Sequence, residues 1–383
     1  MIYLDYAATT PMSASALEAY RQASLRFFGN ASSLHDTGTE AERALEGARR
    51  AIASLLDVSR DGLFFTGCGS EASFLALASL ALSRQDKGRH IITSTIEHSS
   101  VRNSFQWLES NGFDVTWIST DRDGVIQADR VREALRDDTI LVSVQHVNSE
   151  IGTVHPLEEI GRLLLDHPAL FHSDLVQSFG KLPLKPEELH LDSFTISAHK
   201  IHGPKGLGAA WISPKLSWRP FIPETIHEHG FRPGTVDVPA IAAFAVAARE
   251  AFANLQANLE TVHSLKKIFL ETVSLEPAVV RVEGNNARTS PYILGLTTRG
   301  MEGQFAMLEC NQRGIAFSTG SACQVNQQKP SPTLLAMGRN EEEARQFVRI
   351  SLDPELTERD IRRAGEILRR VMEEHLQLSK SVL

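Results

Sequence analysis

The sequence predicts an α/β fold: a large domain built on a mainly parallel sheet, followed by a smaller C-terminal α/β domain. Three observations carry that expectation. Between about residues 62 and 213, short β-branched or aromatic runs alternate with helix-length stretches, which is the spacing of a parallel sheet with crossover helices. A long pattern from about Val238 to Val273, apolar at intervals of three and four, predicts a helical connector. Beyond it strands and helices resume without a Pro-, Gly- or Ser-rich linker, so the two domains are expected to pack tightly and share a cleft. The expected division is 13–255 for the large domain and 256–383, together with 1–12, for the small one. A chain of 383 residues has ample length for two cores.

Leu63 to Thr66 predicts a strand that feeds a glycine-containing loop and then an apolar helix from Ser70 to Leu82. His90 to Thr95, Phe113 to Ser119, Thr139 to Val147 and Ser193 to Ala198 predict further strands, with helices over 99–111, 129–136 and 157–166. At the C-terminal end, strands near 279–282, 291–297 and 346–352 alternate with helices at 301–313 and 357–374.

The formal net charge is −8, and the basic residues are scattered among acids rather than gathered in a block, so nucleic acid is not an expected partner. The longest apolar run, Ala240 to Ala248, is half what a membrane helix needs and is closed by Arg249. The first residues lack the basic and apolar segments of a signal peptide, and the expected location is the cytoplasm. Three cysteines, Cys68, Cys310 and Cys323, make neither a disulfide framework nor a metal-binding pair, and no metal site is expected.

The chemistry-bearing residues lie mostly at strand ends. In Ser197-Ala198-His199-Lys200-Ile201-His202-Gly203-Pro204 a lysine follows an apolar strand and precedes a glycine-containing turn. An amine partly shielded from water loses its proton more readily and becomes nucleophilic, as Schiff-base chemistry requires. In Phe171-His172-Ser173-Asp174-Leu175-Val176-Gln177 a strand ends in an aspartate, which can keep a pyridine nitrogen protonated, and Gln177 can reach a neighbouring ring substituent. Taken alone, such an aspartate is more often a helix cap than a cofactor partner. The loop Thr66-Gly67-Cys68-Gly69-Ser70-Glu71 offers backbone N–H groups and a hydroxyl to a phosphate at a helix start, or is simply a tight turn with its cap. His98, after another strand, can stack on an aromatic cofactor or move a proton. Cys323 sits in the small-residue loop Ser318-Thr319-Gly320-Ser321-Ala322-Cys323, where a thiol is expected to be exposed and able to ionise, whereas Cys68 and Cys310 are expected to be structural. Arg349, in a short strand pattern, can grip a carboxylate with two parallel hydrogen bonds or sit in an ordinary ion pair.

In this order the motifs resemble a cysteine desulfurase of the NifS and IscS type, among the class-V aminotransferase-like, fold-type I pyridoxal-phosphate enzymes. The likeness runs from Tyr3-Leu4-Asp5-Tyr6-Ala7-Ala8-Thr9-Thr10-Pro11 to the Arg349 strand. It implies a seven-stranded, mainly parallel sheet and pyridoxal 5'-phosphate as cofactor. Lys200 would hold the cofactor, His98 would cover its ring, Asp174 would meet its nitrogen and Gln177 its hydroxyl, with Asn148 and Ser149 as further cofactor contacts. Phosphate contacts would fall to Gly69, Ser70, Ser197 and His199, with Thr235 given by the partner subunit of a homodimer. Substrate carboxylate contacts would fall to Asn30 and Arg349, and the sulfur of L-cysteine to Cys323, which would pass it to an acceptor protein serving iron-sulfur clusters, tRNA thiolation or one apoenzyme. Three departures stand out: Val147-Asn148-Ser149-Glu150 carries a serine where the family has a second asparagine, so that cofactor contact passes to a shorter hydroxyl; Glu224-Thr225-Ile226 replaces a glycine triplet; and Gln324-Val325-Asn326 follows the cysteine. The rival expectations are a selenocysteine or cysteine-sulfinate lyase on the same scaffold, in which no protein thiol is essential, and a non-catalytic docking partner for sulfur carriers.

Overall fold

A computed structural model describes residues 1–274, 279–284, 288–320 and 330–381. Its strands are β1 (Ile2–Tyr3), β2 (Leu63–Thr66), β3 (His90–Ser94), β4 (Asp114–Ile118), β5 (Thr139–Ser143), β6 (Leu170–Asp174), β7 (Ser193–Ser197), β8 (Gly208–Ile212), β9 (Val280–Glu283), β10 (Ile293–Thr298), β11 (Ile315–Ala316) and β12 (Phe347–Ser351).

Seven of these form one sheet in the order β2-β8-β7-β6-β5-β3-β4. The pairs from β4 through β3, β5 and β6 to β7 are parallel, and β8 is antiparallel to both β7 and β2. Each central strand is wholly buried, and apart from His90, His172 and Asp174 its residues are apolar or small and hydroxyl-bearing, as a sheet covered by helices on both sides requires. The helices Asp36–Leu55 and Val238–Ala253 contribute to the core on one face, and Gly69–Ser83 and Ser99–Ser110 to the core on the other. Parallel strands end together, so the residues after β3, β5, β6 and β7 emerge along one edge, where ligands of such sheets bind.

The strand expected to reach Val147 leaves the ladder after Ser143, although the N–H groups of Val144 and His146 still donate to the carbonyls of His172 and Asp174. The connector expected from Val238 to Val273 is two helices, Val238–Ala253 and Leu255–Val273, bent by 69°. Asn254 makes the break: at φ −104° and ψ 7° its N–H and its side-chain Nδ2 both donate to Glu250 O. The apolar periodicity survives the bend because each helix faces a different core. Among the described residues no single helix is long and apolar enough to cross a membrane.

The second core gathers Leu265 and Phe269 of the helix Leu255–Val273, Ile361 and Leu368 of Glu358–Ser381, and the inner face of the antiparallel sheet β12-β10-β9. The N-terminal segment belongs to it. Strand β1 pairs in parallel with β11, Leu4 is fully buried, and Leu4 O accepts from Ser351 N at 2.8 Å. From there the chain crosses β12, with Ala7 N donating to Ser351 Oγ at 2.9 Å, and runs to the edge of the large sheet.

Candidate active site

At that edge one cavity collects residues from both cores, among them Lys200, Asp174, His98, Ser149 and Arg349. The sheet register builds its floor. Ser197, Gly208 and Thr66 stand side by side at the ends of β7, β8 and β2, so the loop after Thr66 must pass directly over the start of β8. Only glycine permits this at 208, where a Cβ would lie 2.5 Å from Cys68 C and 2.6 Å from Gly69 N. Gly69 then opens the helix Gly69–Ser83 against Ser197, and the Ser197 hydroxyl is buried with no hydrogen-bond partner among the described residues. A buried hydroxyl facing a helix N-terminus is a fitting seat for a phosphate oxygen. Ser70 and His199 line the same cavity.

Lys200 follows β7 through a single 3-10 turn. Its Nζ donates to Ala7 O at 2.6 Å and Ala8 O at 2.7 Å. Burial, reinforced by the charges of Arg349 and Lys181 and opposed by Asp174 and Asp5, lowers its ammonium to about 7. The amine is therefore half free of its proton near neutrality, which is the condition for nucleophilic attack on a carbonyl carbon. Asp174 ends β6; burial raises its carboxyl to about 6, against the pull of Val176 N, which donates to its Oδ1 at 2.8 Å, and of the Lys200 charge. Gln177 Nε2 donates to Ala7 O at 3.0 Å, and its Oε1 is buried without a partner among the described residues.

His98 caps the helix Ser99–Ser110, with Nδ1 accepting from Ser100 N at 3.2 Å, so the neutral ring carries its proton on Nε2. Burial and the charges of Lys200, Arg102 and Arg349 lower its pKa to about 4, and the ring is uncharged at neutral pH. Beside it, Glu97 accepts from Ser94 Oγ at 2.6 Å and Gln145 N at 2.9 Å. Burial raises this carboxyl to about 8, so it is a protonated clamp between the ends of β3 and β5.

Arg349, 2% exposed in β12, donates from Nη2 to Asp5 Oδ1 at 2.7 Å and from Nη1 to Ser149 O at 3.0 Å, while its Nε has no partner among the described residues. Both expectations for it meet here, an ion pair and a guanidinium at the cavity. Other expected residues fall elsewhere. Asn148 does not line the cavity: its Oδ1 accepts from Glu150 N and Ile151 N, and its Nδ2 donates to Ile96 O, so the amide holds a turn. Asn30 is exposed, with its Oδ1 accepting from Ser32 N, and Thr235 is exposed; neither lines the cavity of its own chain. Cys323 lies outside the described residues. Cys310 is buried, its thiol pushed up to about 12, and Cys68 caps the helix Gly69–Ser83 through its sulfur.

The stretch without its glycines takes left-handed conformations at Glu224, Glu228 and His229. Such positions cost about 1 kcal/mol or more each for side chains of this kind. Glu228 offsets that cost by receiving Arg49 through both oxygens, at 2.8 and 3.0 Å, and Phe65 N at 2.6 Å, all buried. Asp5, Ala7, Ala8 and Glu97 are site residues for which the sequence predicted no role. The only signal for the first three was their place in the Tyr3–Pro11 motif, and for Glu97 its place beside His98 after a strand.

The aminotransferase class-V family matches residues 2–364. The chain is 43% identical over 373 residues to a NifS protein of Halalkalibacterium halodurans, covering 97% of this chain and 98% of the relative. It is 35% identical over 372 residues to a cysteine desulfurase IscS of Dictyoglomus turgidum, covering 97% and 94%. A solved NifS-like protein superposes with a TM-score of 0.90 at 29% identity, over 97% of this chain and 99% of that one. A second solved structure, titled SspA in complex with cysteine, has a TM-score of 0.82 at 33% identity, over 92% and 99%.

Proposed function

The chain belongs to the class-V aminotransferase family, and on that premise we propose that it is a cysteine desulfurase, taking sulfur from L-cysteine, releasing alanine and leaving a persulfide on Cys323. The observation that carries this reading is a buried amine, Lys200, sharing one cavity with the carboxylate Asp174 and with the oxygens of Ser197 and Gln177, which have no hydrogen-bond partner among the described residues. Pyridoxal 5'-phosphate fits that set: it has an aldehyde for the amine, a ring nitrogen for the carboxylate, a hydroxyl for the amide and a phosphate for the loop at Gly69. When bound, this cofactor supplies a ring that accepts the electron pair released at the substrate's Cα.

The chain's own residues do the rest. Gly69, Ser70, Ser197 and His199 would hold the phosphate; Gln177 and Ser149 would meet the ring hydroxyl; Asp174 would keep the ring nitrogen protonated. His98, neutral, would cover the ring without adding a charge to it. Lys200 would make the covalent attachment and, as a free amine, would take the proton from the substrate's Cα. Arg349 takes the substrate carboxylate through its Nε and whichever of its N–H groups it withdraws from Asp5 and Ser149 O, with Asn30 as second contact. The thiolate of Cys323 would attack the substrate sulfur as the Cβ–S bond breaks, the electron pair of that bond staying with the carbon fragment, which gains a proton and leaves as alanine; an acceptor protein would then take the outer sulfur of the persulfide. A cytoplasmic homodimer, in which the exposed Thr235 reaches the partner's phosphate seat, completes the reading. The solved relative with cysteine supports cysteine as substrate.

The test is to reconstitute the full chain with pyridoxal phosphate, trap the coloured protein with borohydride and map the modified peptide, which is expected to contain Lys200. Cys323→Ser is then expected to keep the colour and lose alanine release from cysteine. A trap on another lysine refutes the site, and full turnover in C323S refutes the thiol's role in favour of direct lysis.

A further inference from the structure

Behind Lys200 lies a second cavity, whose walls include Lys181, Lys200, His202, Tyr292 and Asp353. Lys200 lines both cavities and separates them. Lys181 is 5% exposed, yet nothing in the reaction uses it. Its position is set by Gly180, whose φ of +67° and whose tight seat, where a Cβ would come within 2.9 Å of Ala251 Cβ, admit no other residue. The chain is thereby turned so that the Lys181 Nζ stands 5.5 Å from the centre of the Tyr292 ring, a cation over an aromatic face.

The carboxylate of this cavity nearest in role to a counter-ion is Asp353, and it is taken. Its Oδ2 lies 2.9 Å from His202 Nε2, while His202 Nδ1 lies 3.1 Å from Pro11 O. A carbonyl only accepts, and the carboxylate accepts too, so both ring nitrogens donate and His202 is an imidazolium. Burial opposes that charge, but the hydrogen bond and charge of Asp353 outweigh it and raise the pKa of His202. Among the described residues no carboxylate stands within ion-pair distance of Lys181.

We propose that Lys181 is a positioning residue for Lys200: a second buried cation lining the cavity at the rear of the reacting amine, without an ion-pair partner of its own among the described residues because His202 occupies Asp353, which favours loss of that amine's proton. The proposal rests on Lys200 as the reacting amine. The groups facing Lys200 divide by sign: Arg349 from β12 acts with Lys181, Asp174 from β6 and Asp5 from the N-terminal segment act against it, and burial exceeds each of them. Lys181 itself is lowered by burial to about 8, with Asp353 raising and Arg349 lowering it, and it keeps its charge at pH 7.

The experiment measures the pH dependence of acylation of Lys200 in the full chain, read by peptide mass spectrometry with a water-soluble amine-acylating ester, alongside the pH midpoint of the cofactor's colour. Lys181→Met is expected to move the Lys200 labelling midpoint up by about half a pH unit or more, and Lys181→Arg to leave it in place. His202→Gln keeps the lysine but frees Asp353 to cancel it, so its midpoint is expected to rise in the same direction. An unchanged midpoint in K181M overturns the proposal whatever happens to turnover, and if K181M does not fold, an unchanged midpoint in H202Q does so. Labelling needs no cofactor, so a chain that never colours while its Lys200 midpoint shifts refutes the proposed reaction but not the effect of Lys181 on the Lys200 proton.

Discussion

The floor of the cavity and its far wall are built differently. The floor is the edge of the large sheet: Asp174 closes β6, Ser197 closes β7 and Gly69 lies across them, each fixed by strand register. Its polar atoms include buried oxygens without a hydrogen-bond partner among the described residues, at Ser197 and Gln177. The wall is Arg349 on β12, reached over the N-terminal segment, and two of its guanidinium nitrogens are already engaged by Asp5 and by Ser149 O. A floor with unmet acceptors suits a tenant that stays, since leaving buried polar groups unmet costs about 1–3 kcal/mol each. A wall whose groups exchange one partner for another suits a substrate that comes and goes. On the proposed reading, preorganisation is concentrated under the cofactor, and reversibility where the amino acid docks.

The strongest way to break this contrast is to loosen the floor from outside. Glu228→Ala takes from Arg49 its buried partner under β2, leaving it Glu46, 2.9 Å from its Nε, and the carbonyl of Leu63, and is expected to cost about 3 kcal/mol in urea unfolding. A loss below about 1 kcal/mol would mean that the sheet edge is not held by this pair. A smaller effect comes with acid. Burial holds His146, His155 and His172 down to about 4, 3 and 3, so they are neutral in the folded chain and protonate on unfolding. Their lowered pKa values leave stability intact above about 6.5 and remove it as pH falls toward 3–4, each by about 1.4 kcal/mol per pH unit. Asp174 and Glu97, raised by burial, act in the opposite sense as they gain protons. The urea midpoint is expected to fall between pH 6.5 and 5, and His172→Asn to flatten that slope. The mildest test addresses the wall: Arg349→Lys keeps the charge but loses the planar fork, and is expected to raise KM for cysteine about tenfold with kcat and colour little changed. A KM that stays put would assign Arg349 to Asp5 alone.

The same contrast governs what was legible in the sequence. Lys200, Asp174, Gln177 and Ser197 announce themselves because a strand pattern stops at them and polar residues follow, a signal spanning a few positions. Ala7 and Ala8 act through backbone carbonyls, which have no side-chain signature, on an amine nearly two hundred residues away. Asp5 is tied to Arg349 across the whole chain, and only the packing of two cores brings them together. Asn148 shares a motif with Ser149, and composition does not tell which of two neighbours turns inward; the turn hydrogen bonds decide it. The break at Asn254 is hidden because apolar spacing continues across it while the buried face changes partner. Lys181 sits between Gly180 and Leu182 like any surface lysine, and only a left-handed glycine turns it inward.

The turn that carries Lys200 has a consequence for how this chain tolerates change in length. Gly203 N donates to Ala198 O and Ala198 N to Leu207 O, so the segment between β7 and β8 closes on itself around the lysine. Loops normally absorb inserted residues with little harm. Here one added residue would rotate the amine away from both cavities, so an epitope or tag placed between 198 and 207 is expected to abolish cofactor capture while the sheet on either side still folds.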